Sequence, residues 1–154
     1  MNVLDKPWVC PAPFTGFTIR PSGYITLCCQ SDLILNHIDN IKSLTSFYNS
    51  DQMQYYRDAF YNNKKLLKNE CQTCELQKKQ GVRTRKSIMR QMKFKYINED
   101  NKKTKKPIRF LEFTTSNICN QACSTCGPAF SSKWVSINRA NGDITNKNYT
   151  LSDN

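Results

Sequence analysis

Eight cysteines in 154 residues, gathered into two sets, limit what this chain can become more than any other feature. Three of them, Cys119, Cys123 and Cys126, lie in the stretch "LEFTTSNICNQACSTCGPAF" with the spacing C-x3-C-x2-C. The other five, Cys10, Cys28, Cys29, Cys71 and Cys74, precede it. The start "MNVLDKPWVC" lacks the basic residues and apolar run of a secretory signal, so a cytoplasmic setting is expected. Thiols stay reduced there, and clustered cysteines serve metals or catalysis rather than disulfides. A structural zinc ion normally takes four ligands, and the triplet offers three with no histidine nearby. Three thiolates on one short loop can instead anchor three irons of a 4Fe–4S cube and leave the fourth iron open.

Around these cysteines the pattern is that of an α+β chain. Hydrophobic residues make up 38% and are spread along the sequence, which indicates a globular chain with a modest core. No run approaches the ~20 apolar residues of a membrane span, so no membrane is expected. "FTGFTIRPSGYITLC" over residues 14–28 reads as two strands around a Pro-Ser-Gly turn. Residues 41–68 read as helical. Ile41, Leu44, Phe47 and Tyr48 form one apolar stripe and Met53, Tyr56, Ala59 and Phe60 another, with Ser50 or Asp51 as a cap between them. A third helix is expected from Cys74 to Ile97, with Gly81 as its weak point and Met89, Met92 and Tyr96 at helical spacing. "NEDNKKTKKP" is a polar linker, "IRFLEFTTS" is rich in β-formers, and residues 128–140 are again helical, with Pro128 in the first turn. The last fourteen residues show no clear element.

The net charge of +11 is uneven. Sixteen of the twenty-three Lys and Arg fall between Lys64 and Arg109, against four acids. Such a stripe suits a polyanion, but few aromatics interleave it and no nucleic-acid motif accompanies it, so nucleic acid is not the expected partner.

The strand ending in "TTSN", followed by Cys119-Asn120-Gln121-Ala122-Cys123-Ser124-Thr125-Cys126, closely resembles the signature of radical S-adenosylmethionine (radical SAM) enzymes. The resemblance implies that this loop follows the first strand of a partial β/α barrel and that Cys119, Cys123 and Cys126 hold a 4Fe–4S cluster. It further implies that the open iron binds the methionine moiety of S-adenosylmethionine, and that one electron cleaves the sulfonium to a 5′-deoxyadenosyl radical. Thr125 stands where the family usually carries an aromatic residue in contact with the adenine. The N-terminal order C-x12-G-x4-C (Cys10, Gly23, Cys28), then Cys71-Gln72-Thr73-Cys74, is similar to the auxiliary cluster module called twitch, a shortened relative of SPASM. That resemblance implies a second 4Fe–4S cluster on Cys10, Cys28, Cys71 and Cys74. Neighbouring strand residues point to opposite faces, which assigns Cys29 to the core, with an exchange of roles between Cys28 and Cys29 left open. Four thiolates also suit zinc, and C-x2-C alone does not choose.

The expected organisation is a twitch/SPASM-like auxiliary domain with a helical extension over 1–97, a polar linker over 98–107, and over 108–154 the first β/α unit of a partial TIM-like radical SAM barrel. In most relatives the auxiliary module follows the barrel, whereas here it precedes it. A barrel of this kind takes about 200 residues, and 28 follow Cys126. The Gly-Gly-Glu segment that clasps the methionine amino group in the family has no counterpart. The chain is therefore expected to be a fragment or half of a split enzyme, not a complete catalyst. Phe110, Phe113 and Trp134 would be apolar groups short of partners. The partners implied are S-adenosylmethionine, an electron donor, and a companion chain or a peptide substrate. The alternatives are a zinc- and polyanion-binding module and a stand-alone iron–sulfur electron carrier. His37, the one histidine, is expected on the surface or in a cap, and Ser131, Ser132 and Lys133 in ordinary helix-start chemistry or near an anion.

Overall fold

The computed structural model describes residues 9–62, 71–84, 87, 88, 91 and 107–143. The expected helical positions Met89, Met92 and Tyr96, the linker through residue 106, the tail from 144 and most of the basic stretch lie outside these residues. No helix among the described residues is long and apolar enough to cross a membrane.

The Pro-Ser-Gly turn organises the N-terminal half. A single helical turn, α1 (Ala12–Thr15), leads into β1 (Gly16–Ile19), and β2 (Tyr24–Thr26) returns antiparallel with Ile19 opposite Ile25. Arg20 donates its N–H to Tyr24 O and Gly23 donates to Arg20 O, both at 2.9 Å. Gly23 has φ +78°, the left-handed region where a side chain costs most, and a Cβ there would meet the His37 ring. His37 does cap: its Nδ1 accepts from the Asp39 N–H at 3.4 Å at the start of a 3-10 turn, Ile38–Asn40. A third strand, β3 (Ile34–His37), pairs antiparallel with β2 and was not expected from the sequence.

Two capped helices cover the hairpin; Ile41, expected on the first, lies before it in extended backbone, and residues 63–68 of the expected helical stretch are outside the described residues. Ser43 Oγ accepts from Ser46 N–H at the start of α2 (Leu44–Tyr48), and Ser50 Oγ accepts from Met53 N–H at the start of α3 (Asp51–Tyr61). Their apolar stripes meet the sheet in one core of Val9, Phe14, Phe17, Ile19, Ile25, Leu27, Leu35, Phe47, Tyr48, Met53, Ala59 and Phe60. Within it lies Arg57, 2% exposed. Its Nε donates to Pro13 O at 2.9 Å, an Nη donates to Tyr48 O, and the guanidinium sits 4.3 Å from the centre of the Tyr48 ring. Burial lowers its proton affinity, with Tyr48 and Asp58 opposing. These contacts tie α1, α2 and α3 together with one side chain. Arg57→Ala strands two buried carbonyls and opens a space under Tyr48, and is expected to cost about 3 kcal/mol in chemical denaturation.

Helix α4 (Gln72–Lys79) starts with Cys71 as its N-cap, two residues before the expected start, and ends ahead of Gly81 at φ +72°. The weak point at Gly81 is thus a stop, and the expected helix does not run through it.

Strand β4 (Phe110–Phe113) lies parallel to β1, Gly16 opposite Phe110 through Ile19 opposite Phe113, giving the order β3-β2-β1-β4. Arg109 N–H donates to Thr15 O at 2.8 Å, Thr114 N–H to Ile19 O at 3.1 Å, and Thr18 Oγ1 to Glu112 Oε2 at 3.0 Å. The sheet therefore joins residues from both sides of the expected linker. Register partners share a face, so Leu111 and Phe113 stand on the side of Phe17 and Ile19. Phe17 and Ile19 are buried, whereas Leu111 is 39% and Phe113 50% exposed. Among the described residues, the core face thus runs on past β1 onto a partly exposed strip. Of the other two groups expected to lack partners, Phe110 and Trp134 are half-buried.

Helix α5 (Ser132–Ala140) begins four residues later than its sequence pattern suggests. Asn117 O and Cys119 O accept from the Ser132 and Lys133 N–H groups at 2.6 and 3.1 Å, so the cysteine loop itself forms the helix start, and Pro128 stays in the loop.

Candidate metal centres

The first set of thiols gathers where β2 ends. Cys28 follows that strand in a turn closed by Ser31 N–H on Cys28 O at 3.1 Å, with Thr26 Oγ1 on the same oxygen at 3.0 Å. It shares a small apolar cleft with Ala12, Gly16, Phe17, Leu27 and Phe110, which places it beside the beginnings of β1 and β4. Burial pushes the Cys28 thiol up to about 12, a backbone hydrogen bond from Gln30 opposes this, and the neighbouring thiols of Cys10, Cys29 and Cys74 push it further. That mutual effect brings Cys10, Cys28 and Cys74 into one neighbourhood. Cys71 and Cys74 occupy the start of α4, Glu75 N–H donating to Cys71 O at 3.1 Å, and Cys10 and Cys71 pack against the margin of the core. Because β2 ends at Thr26, the alternation that assigned Cys29 to the core does not reach it. Cys29 is half-buried in the turn, outside the core cluster and close enough to act on Cys28.

The second set lies on the loop from β4 to α5. Cys119 is half-buried and Cys123 and Cys126 are exposed, the latter two on one turn closed by Cys126 N–H on Cys123 O at 3.0 Å. Gln121 N–H lies 3.5 Å from Cys119 Sγ, and Cys123 Sγ lies 3.5 Å from Gln121 Oε1. Thr125 is exposed at the tip of the same turn. Ser131 and Ser132, weighed as anion contacts, have their hydroxyls committed to this loop: Ser131 Oγ donates to Gln121 O at 2.6 Å and Ser132 Oγ to Cys119 O at 2.9 Å.

The parallel register fixes how the two sets are related. Cys28 stands at the end of the sheet where β1 and β4 begin, and the triplet loop leaves the end where they finish, about 10 Å further along the strands. No disulfide joins any of the eight cysteines. Among the described residues no group of three or more Cys, His, Asp or Glu forms a site that could hold a single metal ion. What fits a metal group here is the donor chemistry: thiols drawn from three elements at Cys28, and three thiols on one loop at Cys119–Cys126. Soft sulfur donors of this kind take iron–sulfur clusters or zinc.

Metal ligation needs thiolates, so loading is expected to release protons and to strengthen as pH rises, which proton-release titration measures. Without metal the effect of pH is opposite in kind. The folded chain keeps the Cys28 proton up to about 12, while a thiol in the unfolded chain loses it near 9.0. Stability of the metal-free chain is therefore expected to be unaffected by this group below about pH 9 and to fall as pH rises above it. Tyr48, raised by burial against the pull of Arg57, adds to the same decline. Thermal unfolding across this window checks it, and Cys28→Ser should flatten the decline.

Neither a curated protein nor a solved structure matches the chain. Residues 10–75, which begin at Cys10 and end just past Cys74, match SPASM, the iron-sulfur cluster-binding domain.

Proposed function

We propose that the chain is the cluster-bearing part of a radical SAM enzyme. In this reading Cys119, Cys123 and Cys126 hold the 4Fe–4S cluster that meets S-adenosylmethionine, and Cys10, Cys28, Cys71 and Cys74 hold an auxiliary one. The observation that carries it is a conjunction within one sheet. An iron–sulfur domain match spans the thiols around Cys28, and a strand–loop–helix unit with C-x3-C-x2-C spacing sits at the other end. When bound, the triplet's cluster supplies the electron that cleaves a sulfonium; the chain's residues bind and position.

Several features support that division of labour. The triplet loop lies at the carboxyl end of parallel strands, where ligands collect in open sheets with helical connections. Thr125, exposed on the turn between two ligands, is where the adenine would lie. The partly exposed apolar strip of Leu111 and Phe113, on an edge strand among the described residues, supports a cover supplied by further barrel strands, either of the same polypeptide or of a companion. A peptide or small metabolite is the substrate class in this reading, and an electron donor is required.

The test pairs a spectroscopic readout of cofactor binding, which does not demand a complete catalyst, with product analysis. Anaerobically reconstituted and reduced chain should change its electron paramagnetic resonance signal on addition of S-adenosylmethionine and form 5′-deoxyadenosine above background. Cys123→Ala should lose both. A reduced cluster whose signal ignores S-adenosylmethionine would leave only an electron carrier.

A further inference from the structure

The cysteine triplet is not a free loop. Ser132 Oγ accepts from the Cys119 N–H at 3.0 Å and donates to the Cys119 carbonyl at 2.9 Å, so one hydroxyl grips both backbone groups of a single residue. Ser131, 1% exposed, donates to Gln121 O at 2.6 Å. Trp134 Nε1 donates to Cys123 O at 2.9 Å. Asn117, also 1% exposed, reaches across the base of the loop to Pro128 O at 2.9 Å. Every second residue from Asn117 to Cys123 is thus fixed by a side chain of its own or by one from the start of α5. The spacing has a consequence for the sulfurs. Gln121, held by Ser131, presents its N–H to Cys119 Sγ and its side-chain oxygen to Cys123 Sγ.

From this geometry we infer that Ser131, Ser132 and Trp134 are positioning residues: they clamp the Cys119–Cys126 loop into its receiving shape before any metal group arrives. The inference rests on the cluster reading above but concerns residues outside the cysteine spacing. The hydrogen bonds of all three to the loop end on backbone groups rather than on sulfur. Each acts through the backbone of a ligand or of Gln121. A loop without the clamp must be ordered at the moment of binding, and that entropy opposes retention of the group. Partners beyond the ligands themselves are worth about 10–100-fold in metal affinity.

The test uses the full chain and four variants: Ser131→Ala, Ser132→Ala, Ser132→Thr and Trp134→Phe, the last keeping an aromatic ring while removing the donor. After anaerobic reconstitution, the triplet's share of iron should leave for a chelator about tenfold faster in Ser132→Ala and Trp134→Phe, while Ser132→Thr holds it as the unaltered chain does. Loss of the Gln121 N–H contact in Ser131→Ala should lower the reduction potential of the remaining cluster, since hydrogen bonds to sulfur help set it. Iron bound around Cys28 should be retained throughout, a control that general unfolding would not satisfy. Equal release rates in all variants would overturn the clamp. If Cys119→Ala and Cys123→Ala leave the iron content unchanged, the cluster reading itself fails. Amide hydrogen exchange of the metal-free chain then decides the clamp alone. A Cys119 N–H protected in the unaltered chain and about tenfold faster in Ser132→Ala keeps it, and equal rates reject it.

Discussion

Gly16→Ala is expected to detach β4 from the sheet and, with it, the triplet loop from the rest of the protein. Gly16 lies in extended backbone, so the reason is space rather than conformation: an added Cβ would run into the Phe110 carbonyl. That carbonyl belongs to the strand opposite, in register with Gly16, and cannot retreat without opening the parallel ladder. Overpacking a well-filled interior costs about 1–3 kcal/mol, and an obstacle made of backbone puts this site at the upper end, about 3 kcal/mol. Parallel pairing between residues so far apart in sequence has little local structure to fall back on. The expected result is lower stability, faster amide exchange through Phe110–Phe113, and loss of iron from the triplet. Gly127→Ala, where nothing lies within 4 Å of the added carbon, is the matched control and should be close to neutral.

Cys28→Ala is expected to empty the N-terminal centre. Cys28 feels the thiols of Cys10, Cys29 and Cys74, so its removal takes a member from within the set. A 4Fe–4S cluster on four cysteines that loses one ligand should cost the chain about four irons, measured by iron and sulfide analysis after anaerobic reconstitution. Because ligand-binding energy at such a site is also folding energy, the thermal midpoint of the reconstituted variant should fall toward that of the metal-free chain, by the part the N-terminal centre contributes. The neighbour provides the contrast. Cys29→Ala should keep its iron, and if it instead loses iron while Cys28→Ala keeps it, the two residues have exchanged roles.

Local chemistry was readable in the sequence, and long-range pairing was not. The hairpin followed from Pro-Ser-Gly between β-formers, and the helix pair from two apolar stripes with Ser50 between them, because each signal lies within a few residues of what it causes. β3 was missed because "ILNH" offers two adjacent apolar residues and no alternation. The partnership of β1 with β4 left no trace, since neither strand encodes which neighbour it will take. Arg57 reads as a surface residue by type, yet Met53, Arg57 and Phe60 recur on one helical face, and that spacing was the available sign that it points inward. Both cysteine sets stand out in the sequence by their spacing. The hydroxyl grip on Cys119 was not, because a serine at a helix start ordinarily caps its own helix. α5 receives its first carbonyl partners from the loop, and that is visible only once the loop is folded.

The most direct test of the account is the metal content of the full chain purified and reconstituted without oxygen. Two clusters predict a brown protein with about eight irons and matching sulfide, an electron paramagnetic resonance signal on reduction, and loss of about half the iron in Cys123→Ala. A colourless chain that holds tightly bound zinc, takes up no iron, and binds nucleic acid with steep salt dependence would contradict it.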